Sequence, residues 1–151
     1  MTDKFEIDGL EYKIEELNSG MTDELSVCVT NESIQQFSTL SGDFAPLHTD
    51  KEFAIKRGFK TTVAHGMLLG AYVSALIGNK LPGRWGVIQS FKMDFRKPLI
   101  PPQNIKIIGK ITNVSIAVKQ VSIEIDIIDE DGLQIANGEV KSIVSATEIQ
   151  S

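Results

Sequence analysis

The sequence predicts an α+β domain in which a helix lies on one face of an antiparallel sheet. Helical patterns fill the first half of the chain, and long stretches rich in Val, Ile and Thr fill the second. The longest apolar run, Met67–Gly78, joins the two halves and is typical of a buried core helix. Elements segregated in this order favour helices packed on an antiparallel sheet over alternating β-α-β units.

The predicted strands are short runs rich in β-branched residues, with partial alternation of apolar and polar side chains. Two precede the first helix and four follow the last, at Leu10–Leu17, Glu24–Thr30, Val87–Arg96, Asn104–Ala117, Lys119–Asp129 and Leu133–Ser145. Between the last two, Asp129-Glu130-Asp131-Gly132 is a hairpin signal. These later segments therefore predict an antiparallel sheet with three or four strands in the second half of the chain.

Three helices are predicted. The first begins at Thr30, carries apolar residues three and four positions apart, and ends at Ser41-Gly42-Asp43. Thr49-Asp50-Lys51-Glu52 has the form of a capping box, with Thr49 as the N-cap of a short second helix that ends near Gly58. The third helix runs from about His65 to Asn79.

Length and composition indicate one domain spanning residues 1–151. The 42% hydrophobic content is enough for a packed core, and the net charge of −5 argues against a nucleic-acid partner. The run Met67–Gly78 is shorter than the roughly 20 residues that cross a bilayer, so no membrane partner is expected.

The compartment is predicted from the N-terminus and the single cysteine. The first 13 residues contain no apolar run of the kind found in signal peptides. Cys28 lies in a strand-like run and is interpreted as a small core residue in a reducing compartment. Together these observations predict a cytoplasmic protein.

Asp43 and His48 are the first candidates for chemistry. They lie five residues apart with Pro46 between them, so we expect them on a bent loop rather than on one helix face. A bend can turn a carboxylate and an imidazole towards one point, as acid–base catalysis requires. The alternatives are a plain turn aspartate and a structural histidine.

A metal site is the competing interpretation for two histidines and an acid. The chain contains no His-x-x-x-His or Cys-x-x-Cys spacing, and Cys28 is distant in sequence. We therefore expect no metal.

Two segments resemble the MaoC-like, (R)-specific enoyl-CoA hydratases. The family signature is an aromatic residue followed by x-x-Leu-Ser-Gly-Asp-x-Asn-Pro-Leu-His, and then Ala/Val-His-Gly-Met about a helix length later. The first segment matches from Phe37 to His48 except at Ala45, where the family usually has asparagine. The second segment matches at His65, Gly66 and Met67.

The resemblance implies a hot-dog fold, in which an antiparallel sheet wraps a long central helix. It implies reversible hydration of 2-enoyl thioesters to (R)-3-hydroxyacyl thioesters, as in fatty acid metabolism, without a metal or redox cofactor. Asp43 and His48 would be the acid–base pair, and the Gly66 N–H would hold the thioester oxygen at a helix N-terminus. Ser74 is a secondary catalytic candidate, and His65 is expected to be structural.

Small residues recur every four positions along the third helix, at Gly66, Gly70, Ser74 and Gly78. They fall on one helix face, which favours close packing against the sheet or a partner helix. Glycine at position 66 therefore has a packing explanation as well as a catalytic one.

The resemblance also implies partners. The substrate would be an acyl-CoA or an acyl carrier protein thioester, and Arg96 and Lys97 are candidates for the phosphates of CoA. The family commonly forms homodimers in which two sheets join, and the apolar strand Val87–Met93 is a candidate for the joining edge.

Two other functions stay open. An acyl-thioester-binding module without turnover is one, because Ala45 lacks the amide that could orient a catalytic group. A thioesterase on the same fold is the other, and it is disfavoured because both segments follow the hydratase pattern.

Overall fold

A computed structural model describes residues 10–146, which form one five-stranded antiparallel sheet and four α-helices. The strands are β1 (Thr22–Val29), β2 (Gly86–Phe95), β3 (Gln103–Ser115), β4 (Gln120–Asp129) and β5 (Gln134–Val144), in the spatial order β1-β3-β4-β5-β2. The helices are α1 (Asn31–Ser41), α2 (Pro46–Thr49), α3 (Lys51–Lys56) and α4 (Gly66–Asn79). The predicted α+β class and the last five predicted strands are confirmed.

The core lies between α4 and the central strands. Burial alternates along β4, where Val121, Ile123, Ile125 and Ile127 face the helix and are fully buried. From α4, Leu76 and Ile77 are buried against this layer. The long central helix held by an antiparallel sheet is the hot-dog arrangement.

The predicted strand Leu10–Leu17 is wrong. This segment makes one isolated bridge, between Glu11 and Gly83, and then a single 3₁₀ turn at Ile14–Glu16. Ile14 and Leu17 are three residues apart and both buried, a spacing that suits a turn better than a strand. Most of the N-terminal segment in which no signal-peptide pattern was found, residues 1–9, lies outside the described residues.

The interpretation of Cys28 as a core residue is also wrong, because the thiol is exposed. Leu25 and Val27 of β1 pack against the core, so the residues between them face away from it. Side chains alternate between the two faces of a strand, and Cys28 falls on the outer face. The reducing, cytoplasmic location stays a prediction.

The small-residue face of α4 packs partly against β2. A Cβ atom added at Gly70 would lie 3.2 Å from the ring of Phe91, whereas Gly78 has open space beside it. The packing explanation therefore holds for the first half of the face. None of the helices in residues 10–146 is long and apolar enough to cross a membrane.

Candidate active site

The first signature segment begins where α1 ends. Gly42 caps this helix in the left-handed conformation, with φ of 76°, which glycine adopts without steric cost. The turn leads directly to Asp43, whose N–H donates to the Ser41 hydroxyl (3.2 Å). The Ala45 N–H donates to one carboxylate oxygen of Asp43 (3.1 Å), so this carboxylate is oriented by the main chain.

Pro46 begins a helix rather than bending an open loop. It occupies the first position of α2, where its fixed φ suits the helix and its missing N–H costs nothing. His48 therefore lies within a helical turn, and only Asp43 lies on a loop. The predicted capping box is wrong as well, since Asp50 and not Thr49 is the N-cap of α3 and accepts from the Phe53 N–H (3.1 Å).

The second signature segment fixes the ring of His48. Its Nδ1 lies 2.6 Å from the carbonyl oxygen of Val63. A carbonyl can only accept, so Nδ1 carries the proton in this contact and the neutral ring keeps its lone pair at Nε2. No protein group in the described chain hydrogen-bonds Nε2 of His48, and this nitrogen can accept a proton.

A cavity of about 500 Å³ brings the candidate residues together. Asp43, His48, Gly66, Arg96 and Lys97 all line it. A carboxylate oxygen of Asp43 and a ring nitrogen of His48 lie no more than 4.8 Å apart, but residues 10–146 include no direct hydrogen bond between the two side chains. Two hydrogen bonds of about 2.8 Å that meet at one water span about 4.5 Å. A separation at the upper end of this range has room for one shared water.

Gly66 is the first residue of α4 and lines the same cavity. At this position the N–H has no acceptor within the helix. The N-cap residue, His65, makes no side-chain cap, so the positive end of the helix is left open. A Cβ at Gly66 would come within 2.7 Å of the Phe95 ring, so close packing and an accessible N–H both explain this glycine.

The other candidates are placed differently. Ser74 lies on the exposed side of α4 and is not among the residues lining the cavity. The Nε–H of Arg96 donates to the Asn137 side chain (2.8 Å), and one of its terminal nitrogens lies 3.8 Å from the Asp94 carboxylate, so the other terminal nitrogen is left for further contacts. The Lys97 ammonium is engaged by Asp129 (3.0 Å) and has two further donors.

Asp129 is a buried carboxylate at the end of β4. The hydrogen bond from Lys97, followed by that from the Leu133 N–H, holds the pKa of Asp129 below its usual value. Lys97 is therefore anchored at the cavity rim by a group that remains ionised at neutral pH.

His65 completes a cluster of potential metal ligands with Asp43 and His48. The two imidazole rings are stacked, with centroids 3.9 Å apart and planes 28° apart. A metal ion lies in the plane of each imidazole that binds it, about 2.1 Å from the nitrogen. Nearly parallel planes do not meet at that distance, so the stacked rings cannot share one ion without rotating, and the expectation of no metal is kept.

Sequence reasoning did not identify three contributors to the site. Phe95 covers Gly66 and lines the cavity, the Val63 carbonyl orients His48, and the Ser38 hydroxyl lies 3.2 Å from Nε2 of His65. Ser38 is on the buried side of α1, between Ile34 and the end of the helix. Helical periodicity could have placed Ser38 inside, whereas nothing in the sequence indicates the Val63 contact.

Two further cavities flank this region. One of about 520 Å³ lies on the other side of His48, between α1 and Thr62, and includes Phe44. The other, an open depression of about 660 Å³, lies between β1 and the β4–β5 hairpin and includes Cys28 and Asp129. It is larger but lacks an acid–base pair beside a helix N-terminus, so the 500 Å³ cavity is the candidate active site.

Two proteins of known activity are similar to this chain in sequence. Over 107 residues the chain is 31% identical to the 3-hydroxybutyryl-CoA dehydratase of Methylorubrum extorquens, covering 71% of this chain and 64% of that protein. It is 35% identical over 83 residues to the (R)-specific enoyl-CoA hydratase of Aeromonas caviae, covering 55% and 62%. The aligned segment thus spans less than two thirds of these relatives.

Solved structures show the same fold. The (R)-hydratase of A. caviae superposes with a TM-score of 0.82 at 26% identity and covers 87% of this chain and 99% of that one. The MaoC like domain model matches residues 15–131, which include both signature segments and the cavity. The chain belongs to the MaoC-like family, in the hot-dog fold of its (R)-hydratases.

Proposed function

We propose that this protein reversibly hydrates 2-enoyl thioesters to (R)-3-hydroxyacyl thioesters, as a hydro-lyase. One observation carries the proposal: an oriented carboxylate, an imidazole with a free Nε2 and an open helix N-terminus line one cavity. The names of the similar proteins, a 3-hydroxybutyryl-CoA dehydratase and an (R)-specific enoyl-CoA hydratase, describe the same reaction in its two directions.

The proposed proton path uses two acceptors, the Asp43 carboxylate and Nε2 of His48. A water held between Asp43 and Nε2 of His48 gives up a proton as its oxygen bonds to C3 of the substrate. The pair returns that proton to C2, so water is added across the double bond and both side chains end as they began. Dehydration runs the same steps in reverse.

The thioester oxygen gains negative charge while C2 is enolate-like. The N–H of Gly66 would donate to this oxygen, helped by the positive end of the α4 dipole. The donor is part of the main chain at a helix start, so it is held in place before the substrate arrives. Ser74, on the exposed side of the helix and outside the lining of the cavity, stays a secondary candidate.

The two cationic residues at the rim of the cavity suggest how the phosphates of the acyl carrier would bind. Arg96 and Lys97 line the cavity, and both have donors left for the phosphates of CoA or of an acyl carrier protein. Both cations already face a carboxylate, and Arg96 is the stronger candidate because its pair with Asp94 (3.8 Å) is longer and more exposed than the pair of Lys97 with the buried Asp129 (3.0 Å). Acyl thioesters of this class occur in fatty acid metabolism, and the proposed reaction needs no metal or redox cofactor.

A panel of 2-enoyl-CoAs of increasing chain length tests the activity. We expect loss of absorbance of the conjugated thioester, with one or more chain lengths preferred, and formation of the (R)-3-hydroxyacyl product. If a folded protein leaves every member of the panel unchanged, hydration is excluded for CoA thioesters. The same panel on acyl carrier protein then decides the carrier.

A non-catalytic acyl-thioester-binding module is the second candidate, and Ala45 favours it. This residue is the N-cap of α2, the helix that carries His48, and its side chain makes no cap. Asparagine at an N-cap accepts a hydrogen bond from the first turn and stabilises the helix by about 0.5–2 kcal/mol relative to alanine. The turn that holds His48 is therefore less firmly fixed here than it would be with the family's usual residue.

Ala45→Asn should consequently raise turnover and the thermal unfolding midpoint together. Ala45→Ser is the matched variant, because serine also caps a helix but has no amide. If both variants gain stability and only asparagine raises turnover or changes chain-length preference, the amide acts on the substrate. If neither quantity moves over the whole panel, position 45 does not limit the site.

We also propose that two copies form a dimer through β2. This strand is at one edge of the sheet, and Val87 (48% exposed) and Phe91 (36%) present apolar surface there. Met67 of α4 is 62% exposed near the same strand and lines the cavity. An uncovered apolar edge strand pairs readily with another strand, and this one would place the interface next to the cavity.

Sedimentation velocity should therefore show a dimer at micromolar concentration. Val87→Lys on β2 should shift the protein towards monomer, whereas Ser26→Lys on the opposite edge strand, β1, should not. A fully active monomer would contradict the β2 dimer, and a shift caused by Ser26→Lys alone would move the interface to β1.

A further inference from the structure

The hydrogen bonds between the two signature segments are reciprocal. His48 of the first segment donates from Nδ1 to the main-chain carbonyl of Val63 in the second (2.6 Å). His65 of the second segment contacts the main-chain carbonyl of Asp43 in the first through Nε2 (3.0 Å). Each histidine thus holds the backbone of the other histidine's segment.

The tautomer of His65 follows from its partner. The carbonyl of Asp43 can only accept, whereas the Ser38 hydroxyl, 3.2 Å from the same nitrogen, can accept or donate. Both contacts are hydrogen bonds only if Nε2 of His65 carries the proton, so Nδ1 keeps the lone pair. Nδ1 is buried and has no hydrogen-bond partner among the described residues. A buried polar atom left unpaired requires an explanation, because most are satisfied. Here the orientation of the His65 ring is set by the contact of Nε2 with Asp43 and by stacking on His48, and in this orientation Nδ1 faces no polar partner among the described residues.

The position of His65 in the chain supports the same conclusion. It is the N-cap of α4, where Ser, Thr, Asp and Asn are preferred because their side chains cap the helix. His65 does not cap; its ring instead reaches across to Asp43, stacks on His48 at 3.9 Å and is 1% exposed. A side chain used in this way ties the helix start, with Gly66, to both proposed acid–base residues.

We propose that His65 is a positioning residue, which sets the Asp43 carboxylate through the Asp43 carbonyl and supports the His48 ring by stacking. The inference rests on the proposed function, since positioning matters only if this pair does the chemistry. His65 itself does not take up or release a proton in the reaction. Its role differs from a purely structural one, because its loss should lower kcat in protein that remains folded.

Two variants of His65 separate the effect of its hydrogen-bond donor, Nε2–H, from the effect of its ring stacking on His48. His65→Phe keeps a flat ring against His48 and removes the donor, whereas His65→Gln places an amide N–H near the position of Nε2. We expect His65→Phe to lower kcat on the order of 10- to 100-fold with KM near wild type, since small misplacements of catalytic groups are costly. His65→Gln should recover several-fold of that loss. Ser38→Ala, which leaves the Asp43 contact, should cost less than His65→Phe.

NMR tests the hydrogen bonds without substrate. The chain has only two histidines, so long-range proton–nitrogen correlations report each ring separately. We expect opposite tautomers, with the proton at Nδ1 in His48 and at Nε2 in His65. An Nδ1–H tautomer at His65 would overturn the proposal.

A folded His65→Phe protein with wild-type kcat would also overturn the proposal. The same holds if the kcat of His65→Gln is no higher than that of His65→Phe. If His65→Phe fails to fold, the tautomers and the His65→Gln rates decide. A wild-type protein that hydrates no thioester would defeat the proposed function instead, and the tautomers would still show whether the two segments are joined as described.

Discussion

Asp43→Asn and His48→Ala should each lower turnover of enoyl thioesters by at least about 10²-fold, the contribution expected of a positioned acid–base group. Asparagine keeps an oxygen that accepts the Ala45 N–H, so the loop is preserved while the carboxylate is lost. Alanine at position 48 removes the only nitrogen of that ring that is free to accept a proton.

The matched variant is His48→Asn. Its amide lies near the position of Nδ1 and can still donate to the Val63 carbonyl, but it has no counterpart of Nε2. We expect it to be as inactive as His48→Ala, with an unfolding midpoint closer to wild type. Near-wild-type kcat in any of these three variants, measured on folded protein, would rule out the Asp43–His48 mechanism.

Gly66→Pro should lower kcat by about 10²–10³-fold relative to Gly66→Ala, because proline removes one oxyanion donor. Proline is tolerated at the first helical position, and His65, with ψ of 135°, already has the extended geometry that precedes proline. Both variants bring the same Cβ against the Phe95 ring, so that packing change cancels in the comparison.

The comparison is made in kcat on saturated enzyme, since the proline ring also occupies space beside the nitrogen and can affect KM. Equal kcat for the two variants would show that the Gly66 N–H does not stabilise the thioester oxygen. Position 66 would then be explained by its packing against Phe95 alone.

Long periodic segments made most of the fold predictable from sequence. Alternation in β4 and the apolar run of α4 are each buried as their patterns indicate, because burial of one face fixes the register of a strand or helix. Short segments were less predictable. Pro46 can break a helix or begin one, and only the tertiary structure decides between these two uses.

The sequence predicted which residues form the site, but it did not predict the hydrogen bonds between them. The signature spacing identified Asp43, His48 and Gly66, and the fold brings all three to one cavity. The reciprocal contacts of His48 with Val63 and of His65 with Asp43 join positions 15 and 22 residues apart. No local pattern encodes such pairs, which arise because the start of α4 lies against the turn between α1 and α2.

Catalysis of hydration at the Asp43–His48 site is tested with crotonyl-CoA, by following the absorbance of the conjugated thioester and the release of free thiol together. We expect wild-type protein to remove the absorbance without releasing thiol, and Asp43→Asn to do neither. Release of thiol would identify a thioesterase. Binding of crotonyl-CoA with neither change would identify an acyl-thioester-binding module and contradict catalysis at the Asp43–His48 site.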